Sequence, residues 1–383
     1  MSEWKDYKLA DLTIDGKGCY GIAAPAVEYD ANKYTYLRIT DINDDGTINK
    51  NGLKSVDDKN ASNYLLKPND IVFARTGASV GRSYFYDGRD GELVYAGFLI
   101  KYSLDPTKVN PKLLKFYTHS QAYYDWIKTV DNGATRGNIN ALTYASMPVL
   151  LPDRNKQDEI VSILSSLDDK IDLLNRENAT LEAMAEALFR QWFIEEAKED
   201  WEEGKLGEIC EYAKEKADIA NIDRNTYITT ENMCSNKQGV VPPSSVPENI
   251  KVTIYSPDDI LLSNIRPYFK KLWLSDRNGG CSNDVLCIRS KSKIFKYFVY
   301  YTIRQDEFFD YVMLGSKGSK MPRGDKHHIM NWPIQKPPKQ MLELFNEFVL
   351  RSIGKMQNNN RQILCLEKQR NTLLPKLMSN TNV

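Results

Sequence analysis

The segment Arg75-Thr76-Gly77-Ala78-Ser79-Val80-Gly81-Arg82 sets two guanidinium groups, two hydroxyls and two glycines directly after an apolar run, Asp70-Ile71-Val72-Phe73-Ala74. A loop of this kind brings backbone amides and fixed cations close to a ligand. Arg and Asn match the edges of guanine and adenine bidentately, while Lys and backbone amides hold phosphates. A counterpart follows a second apolar run: Asn264-Ile265-Arg266-Pro267-Tyr268-Phe269-Lys270-Lys271, which adds aromatic rings. A second pair of polar, glycine-punctuated loops comprises residues 132–138 and 315–326. Candidate nucleic-acid contacts are therefore Arg75, Thr76, Arg82, Thr135, Arg136 and Asn138 in the first half of the chain. In the second half they are Asn264, Arg266, Tyr268, Lys270, Lys271, Lys320 and Arg323. Any one of these loops alone reads as a solvated turn. Their recurrence at matching places in both halves argues for a functional surface.

Enzyme chemistry finds less support. Gly77 to Gly81 has one residue too few between its glycines for a phosphate-binding P-loop, and Arg82 stands where the lysine belongs. No G-x-G-x-x-G follows a strand. Three histidines, His119 and the pair His327-His328, form no metal-ligand spacing, and six cysteines contain no C-x-x-C. Pro242-Pro243 and Pro337-Pro338 lack the flanks of an amino-methyltransferase motif. Asp258-Asp259 can be read as a carboxylate pair for metal-assisted hydrolysis, which would make the chain a nuclease. The same frame places Asp70 before the first run, so a turn acid ahead of a strand is the better reading.

The elements that position these loops are duplicated. Met147-Pro148 matches Trp332-Pro333, Asn175-Arg176-Glu177 matches Asn360-Arg361-Gln362, and Leu181-Glu182 matches Leu366-Glu367, all at an offset of 185. Pro68 to Val72 matches Pro257 to Leu261 at an offset of 189. The change of offset implies loops of different length on a common frame. Strand-like runs fall at residues 34–40, 70–75 and 93–102, and amphipathic helices at 111–130 and 293–312. From Gln157 to about Glu196 apolar residues recur with four-three spacing, the signature of a coiled coil, with Asn178 in the stripe. The second copy, from Phe345 to Leu377, repeats the stripe with Asn359 and Arg370 interrupting it. Two such helices most simply pack on each other, antiparallel, with Asn178 available to set register. A helix of this length spans ~60 Å, about 17–18 base pairs. Trp192 fits the stripe. Phe193 falls outside it, where a partner or domain contact is expected.

Composition places these modules in an ordinary globular chain: 383 residues, 42% hydrophobic and 27% charged, with room for more than one core. No apolar run approaches the ~18 residues of a membrane span, and the polar start reads as no targeting signal, so a cytoplasmic protein with reduced thiols is expected. The formal net charge is zero but unevenly spread: 0 over residues 1–152, −7 over 153–200, +3 over 201–337 and +4 over 338–383.

The run Asp70-Ile71-Val72-Phe73-Ala74-Arg75-Thr76-Gly77, its variant Asp259 to Pro267, Gly133-x-Thr135-Arg136-x-Asn138-Ile139, Met147-Pro148-Val149 with Pro152, and Gln157-x-x-Ile160 resemble the specificity subunit of type I restriction–modification systems. The second copy departs from the pattern: Leu342 stands at the place of Gln157, and Arg323-Gly324 is displaced by two residues relative to Arg136-Gly137. The resemblance implies an α+β architecture. Two mixed α/β target recognition domains, 1–152 and 201–337, are separated by two conserved spacer helices, 153–200 and 338–383, forming an antiparallel coiled coil with pseudo-twofold symmetry. It implies a non-catalytic subunit reading a bipartite site in double-stranded DNA. Two modification subunits and the restriction subunits would be partners. S-adenosylmethionine, ATP and Mg²⁺ would reside in those partners and no cofactor or metal in this chain. A specificity subunit of a system that fuses cleavage and methylation in one polypeptide is an alternative within the class; a stand-alone nuclease or a coiled-coil scaffold lies outside it.

Overall fold

The computed structural model describes residues 4–50, 52–130 and 137–379. The chain divides into two compact units, Met1–Leu174 with Arg361–Val383, and Asn175–Asn360.

The first unit is built on a four-stranded antiparallel sheet in the order Cys19–Tyr20, Leu99–Ser103, Asp70–Ala74, Ser83–Tyr86. The strand Asp70–Ala74 is buried along its whole length, which explains its continuous apolar sequence. The helices Pro111–Tyr117 and Gln121–Val130 complete a core around Phe73, Tyr102, Tyr123 and Tyr144. A single helix over 111–130 is expected from the sequence, but the chain breaks at Thr118–Ser120, where the Ser120 hydroxyl accepts the Tyr123 amide. The expected run 93–102 is two strands, because the chain changes sheets after Tyr95. Leu93–Tyr95 joins a second sheet ordered Ala26–Val27, Lys54–Val56, Tyr34–Leu37, Leu93–Tyr95. Lys5–Lys8 pairs antiparallel with Pro148–Leu151, the last strand before the long helix.

The second unit repeats this plan. Its main sheet runs Cys210–Tyr212, Val285–Ser290, Ile260–Ser263, Leu272–Leu274, and Glu202–Lys205 pairs with Pro333–Lys336. The expected helix 293–312 divides at Gln305 into Lys296–Arg304 and Asp306–Leu314. The second sheet differs in order: Lys216–Asp218, Lys251–Tyr255, Gly279–Cys281, Tyr227–Ile228. Here the late strand, not the early one, takes the inner place. Gly279 and Gly280 permit it, since a Cβ at Gly279 would lie 2.3 Å from the Tyr255 hydroxyl and one at Gly280 2.7 Å from Val252.

The long helices are Arg154–Arg190, continued by a wider five-residue turn Gln191–Glu195, and Lys339–Leu377. In the first unit Ile171 and Leu174 pack with Ile363 and Leu366, and Asp168 pairs with Arg370 at 3.0 Å. In the second unit Phe189 and Phe193 pack on Phe345, and the Asn359 Nδ2 donates to Glu177 and Asn178, each at 2.9 Å. In both units residue numbers on the two helices run in opposite directions, so each pairing is antiparallel. The two residues that interrupt the apolar stripe thus make polar contacts in the seam. Phe193 is a domain contact, buried against Trp201 and Phe298. Among the described residues no helix is long and apolar enough to cross a membrane.

Gln157 ties the first helix to its unit. Its side chain accepts the Asn110 amide at 2.9 Å and donates to the Pro152 carbonyl at 2.9 Å. Leu342, at the same place in the second copy, is buried in an apolar core instead. The junction is therefore polar in one copy and apolar in the other.

Candidate nucleic-acid interface

In the first unit the chain leaves the central strand at Arg75 and meets residues from the end of the domain. Thr76 bridges Asn138 in antiparallel fashion, and the Ile139 amide donates to the Arg75 carbonyl at 2.9 Å. The Arg75 guanidinium donates to Asn138 Oδ1 at 3.2 and 3.3 Å and lies 4.8 Å from the centre of the Tyr20 ring. Arg75, Thr76 and Asn138 therefore come together at the end of the central strand. Tyr20 and Phe98 join them. Tyr20 is exposed and its hydroxyl accepts the Ala141 amide; the exposed Phe98 accepts the Arg75 amide through its carbonyl. Neither is marked in the sequence, because each reaches Arg75 only through the sheet and sits in no pattern that singles it out. Thr135 and Arg136 lie outside the described residues.

The second unit has the same junction. Ile265 bridges Arg323, and the Gly324 amide donates to the Asn264 carbonyl. Arg323 is thus the counterpart of Asn138 and Asn264 that of Arg75, at offsets of 185 and 189. The apparent two-residue displacement at Arg323-Gly324 vanishes once Arg323 is aligned with Asn138. The caps agree: Asn140 accepts the Thr143 amide at the start of Ala141–Ala145, and Asp325 accepts the His327 and His328 amides at the start of Lys326–Met330. The His328 amide, with Lys317 and the His327 amide, lowers the Asp325 carboxyl to about 2. One unit thus carries Arg then Asn and the other Asn then Arg, the two side chains that read guanine and adenine. Arg323 pairs with Asp284 at 3.1 Å, and Asn264 Oδ1 is buried with no hydrogen-bond partner.

The turn after each central strand has the same length and shares two hydrogen bonds. Ala74 donates to Arg82 and Val80 to Gly77 in one unit; Ser263 donates to Lys271 and Phe269 to Arg266 in the other. The left-handed positions are Gly77 and Gly81 in the first, with φ of 74° and 83°. In the second they are Arg266 and Lys270, both at φ 50°. A side chain in that region costs roughly 1–2 kcal/mol, so the second unit holds strain the first avoids. The Arg266 Nε is also buried without a partner.

The remaining cations differ in how freely they face outward. Arg82 is tied to Asp44 at 2.7 Å and to the Ile42 carbonyl. Lys270 pairs with Asp306 at 3.0 Å beside Lys237 at 2.9 Å, and those two lysines, Lys237 foremost, hold the Asp306 carboxyl below its ordinary value. Lys271 donates to the Thr230 carbonyl at 2.6 Å. Lys320 is exposed on the loop before Arg323.

Asp258 and Asp259 do not face a common point. Asp259 is buried, bound bidentately by Arg289 at 2.7 and 2.8 Å, and accepts the Ser256 amide. Asp258 pairs with Lys296. Asp70 repeats the Asp259 role with the Lys67 amide, Ser103 and Lys101. These are turn acids, as the frame of the repeat suggests.

Two copies of one α+β unit, each bringing an Arg and an Asn to a strand-end junction and each holding part of a paired long helix, define a duplicated protein. A family model described as the type I restriction modification DNA specificity domain matches residues 1–183. The chain is 28% identical over 209 residues to the HindI specificity subunit of Haemophilus influenzae, covering 51% of this chain and 42% of that protein. It is 25% identical over 293 residues to the MjaIX specificity subunit of Methanocaldococcus jannaschii, covering 66% and 65%. These matches thus span less than two thirds of either relative. The fold is similar to that of the type I S subunit from M. genitalium, with a TM-score of 0.55, 14% identity, and coverage of 100% of this chain and 97% of that one.

Proposed function

We propose that this chain is the DNA-reading subunit of a type I restriction–modification complex, itself without catalytic activity. The observation that carries the reading is the repeated junction, Arg75 with Asn138 and Asn264 with Arg323, on a chain whose first half matches a DNA specificity domain. Residues 1–152 and 201–337 act as the two readers, one for each half of a bipartite double-stranded site. Residues 153–200 and 338–383 act as spacer helices that fix the unspecified gap. Arg75, Thr76, Arg136, Asn138, Asn264, Tyr268 and Arg323 are assigned to bases. Thr135, Arg266, Lys271 and Lys320 are assigned to phosphates. Arg82 and Lys270 serve mainly to hold the loops, given their ion pairs.

Two modification subunits are the expected partners on the helices, bringing S-adenosylmethionine and adenine methylation. Restriction subunits would add ATP- and Mg²⁺-dependent translocation and cleavage, all in the cytoplasm. The test is selection of bound duplexes from a random-sequence pool by the chain co-purified with the modification subunit encoded beside it. Two short enriched blocks at a fixed separation support the reading. A single block, or no enrichment from a stable complex, contradicts it.

A further inference from the structure

Tyr268 and Phe269 are 47% and 38% exposed although large and aromatic, and their ring centres lie 4.7 Å apart. They form the tip of the second unit's turn, at the places held in the first unit by the small residues Ser79 and Val80. The turn is stiff. Both flanking residues, Arg266 and Lys270, are held at positive φ where the first unit uses glycine. From behind, the Asn236 amide donates to the Phe269 carbonyl at 2.9 Å and the Lys237 amide to the Lys270 carbonyl at 2.8 Å. Asn236 and Lys237 are themselves left-handed, at φ 55° and 62°. Of the seven non-glycine residues with positive φ among the described ones, four thus meet at this knuckle. Strain gathered around an exposed feature is a mark of function. The Arg266 amide donates to the Pro322 carbonyl, so the ring pair stands beside the Arg323 junction.

We propose that Tyr268 and Phe269 form an aromatic wedge that enters a base step of the half-site read by the second unit and unstacks it. The inference rests on the DNA-reading function above. Apolar side chains inserted between base pairs open a step and kink the duplex, and specificity then follows from how readily that step deforms. Aromatic rings stack on any base face. The surrounding cations Lys271, Lys320 and Arg323 suit a duplex better than an apolar protein surface. The first unit, with Gly77-Ala78-Ser79-Val80-Gly81, lacks the wedge, so the two half-sites are read by different physical means.

The experiment uses the full chain in complex with its modification subunit and duplexes bearing the selected site, with 2-aminopurine placed at each position of the second half-site in turn. The wild type is expected to raise fluorescence several-fold at one step. Y268A/F269A should abolish that rise and weaken binding about ten-fold. A second variant transplants the first unit's turn, R266G/P267A/Y268S/F269V/K270G, whose backbone already fits the frame, and should behave alike. K270G, which relieves the strain at one end of the turn and keeps the rings, should retain the rise. A wild-type complex that binds with no rise at any position overturns the wedge and leaves the reader intact. A complex that binds no DNA overturns both. An unchanged rise in Y268A/F269A with loss of the modification subunit would make the knuckle a protein contact and likewise overturn the wedge.

Discussion

Arg75 and Asn138, distant in sequence, are joined by two hydrogen bonds from the guanidinium to Oδ1, while the cation lies over the Tyr20 ring. The pair is pre-organised, so neither side chain loses much freedom when DNA arrives. Arg75→Ala should cost ~1–3 kcal/mol of specific binding and relax one position of the first half-site, with the second half-site unchanged. Asn138→Ala should relax the same or a neighbouring position. Motif mapping of each variant checks this; loss of specificity in the second half-site instead would misplace the pair. Lys320→Ala should weaken binding about equally across sequences and lower the salt slope by ~1.

Asp259 offers the sharpest contrast with a nuclease reading. Its carboxylate is buried under Arg289, so Asp259→Ala removes the bidentate partner and leaves the guanidinium only the exposed Glu215 at 3.4 Å. The expected loss is about 3 kcal/mol of stability, read by denaturant melts. Asp258→Ala, at a partly exposed pair with Lys296 and at φ 73°, should cost only about 1 kcal/mol. Mg²⁺-dependent DNA cleavage by the purified chain, lost in Asp259→Ala at unchanged stability, would reverse the assignment.

Asp168 should give the first unit an acid-sensitive component. Burial works against its charge, yet Lys115 at 2.6 Å and Arg370 at 3.0 Å outweigh it and hold the carboxyl below its ordinary value. A carboxylate with a lowered folded pKa contributes fully above its unfolded value of ~3.9. The contribution fades as pH falls through the folded value. Asp168→Asn should therefore cost about 2 kcal/mol at pH 7, and the gap to wild type should narrow below pH ~4. A gap that stays constant from pH 7 to 3 would remove the ion pair from the account.

Asn359 is fully buried, and its Oδ1 has no partner although its Nδ2 has two. A polar residue of this kind in a helix seam fixes register at a cost in stability. Asn359→Leu should raise the melting temperature by roughly 2–4 °C and broaden the register, seen as faster amide exchange along 355–363. A lower melting temperature would mean the Asn359, Asn178 and Glu177 network is net stabilising.

Much of this was legible in the residues because duplication is a strong signal. The offsets of 185 and 189 marked equivalent strands, turn acids and loops before any geometry, and the four-three stripe marked both helices. Interruptions of the stripe carried information as well, since Asn359 and Arg370 make polar contacts in it. Other features had no local signal. The break at Thr118–Ser120 depends on one serine capping the next helix, and helical periodicity runs through it. The swapped order in the second sheet depends on the room around Gly279 and Gly280. Tyr20 reaches Arg75 only through the sheet. The strain at Arg266 and Lys270 becomes visible only when their φ angles are set beside those of Gly77 and Gly81.

The central claim is that two readers on one chain select a split DNA site. It is tested most directly by mapping N6-methyladenine across the genome of cells co-expressing the chain with its modification subunit, alongside cells carrying Arg75→Ala. The account predicts a motif of two short specific blocks around a fixed gap, with only the block read by the first unit relaxed in the variant. A continuous motif, or one that Arg75→Ala leaves unchanged in both blocks, would contradict it.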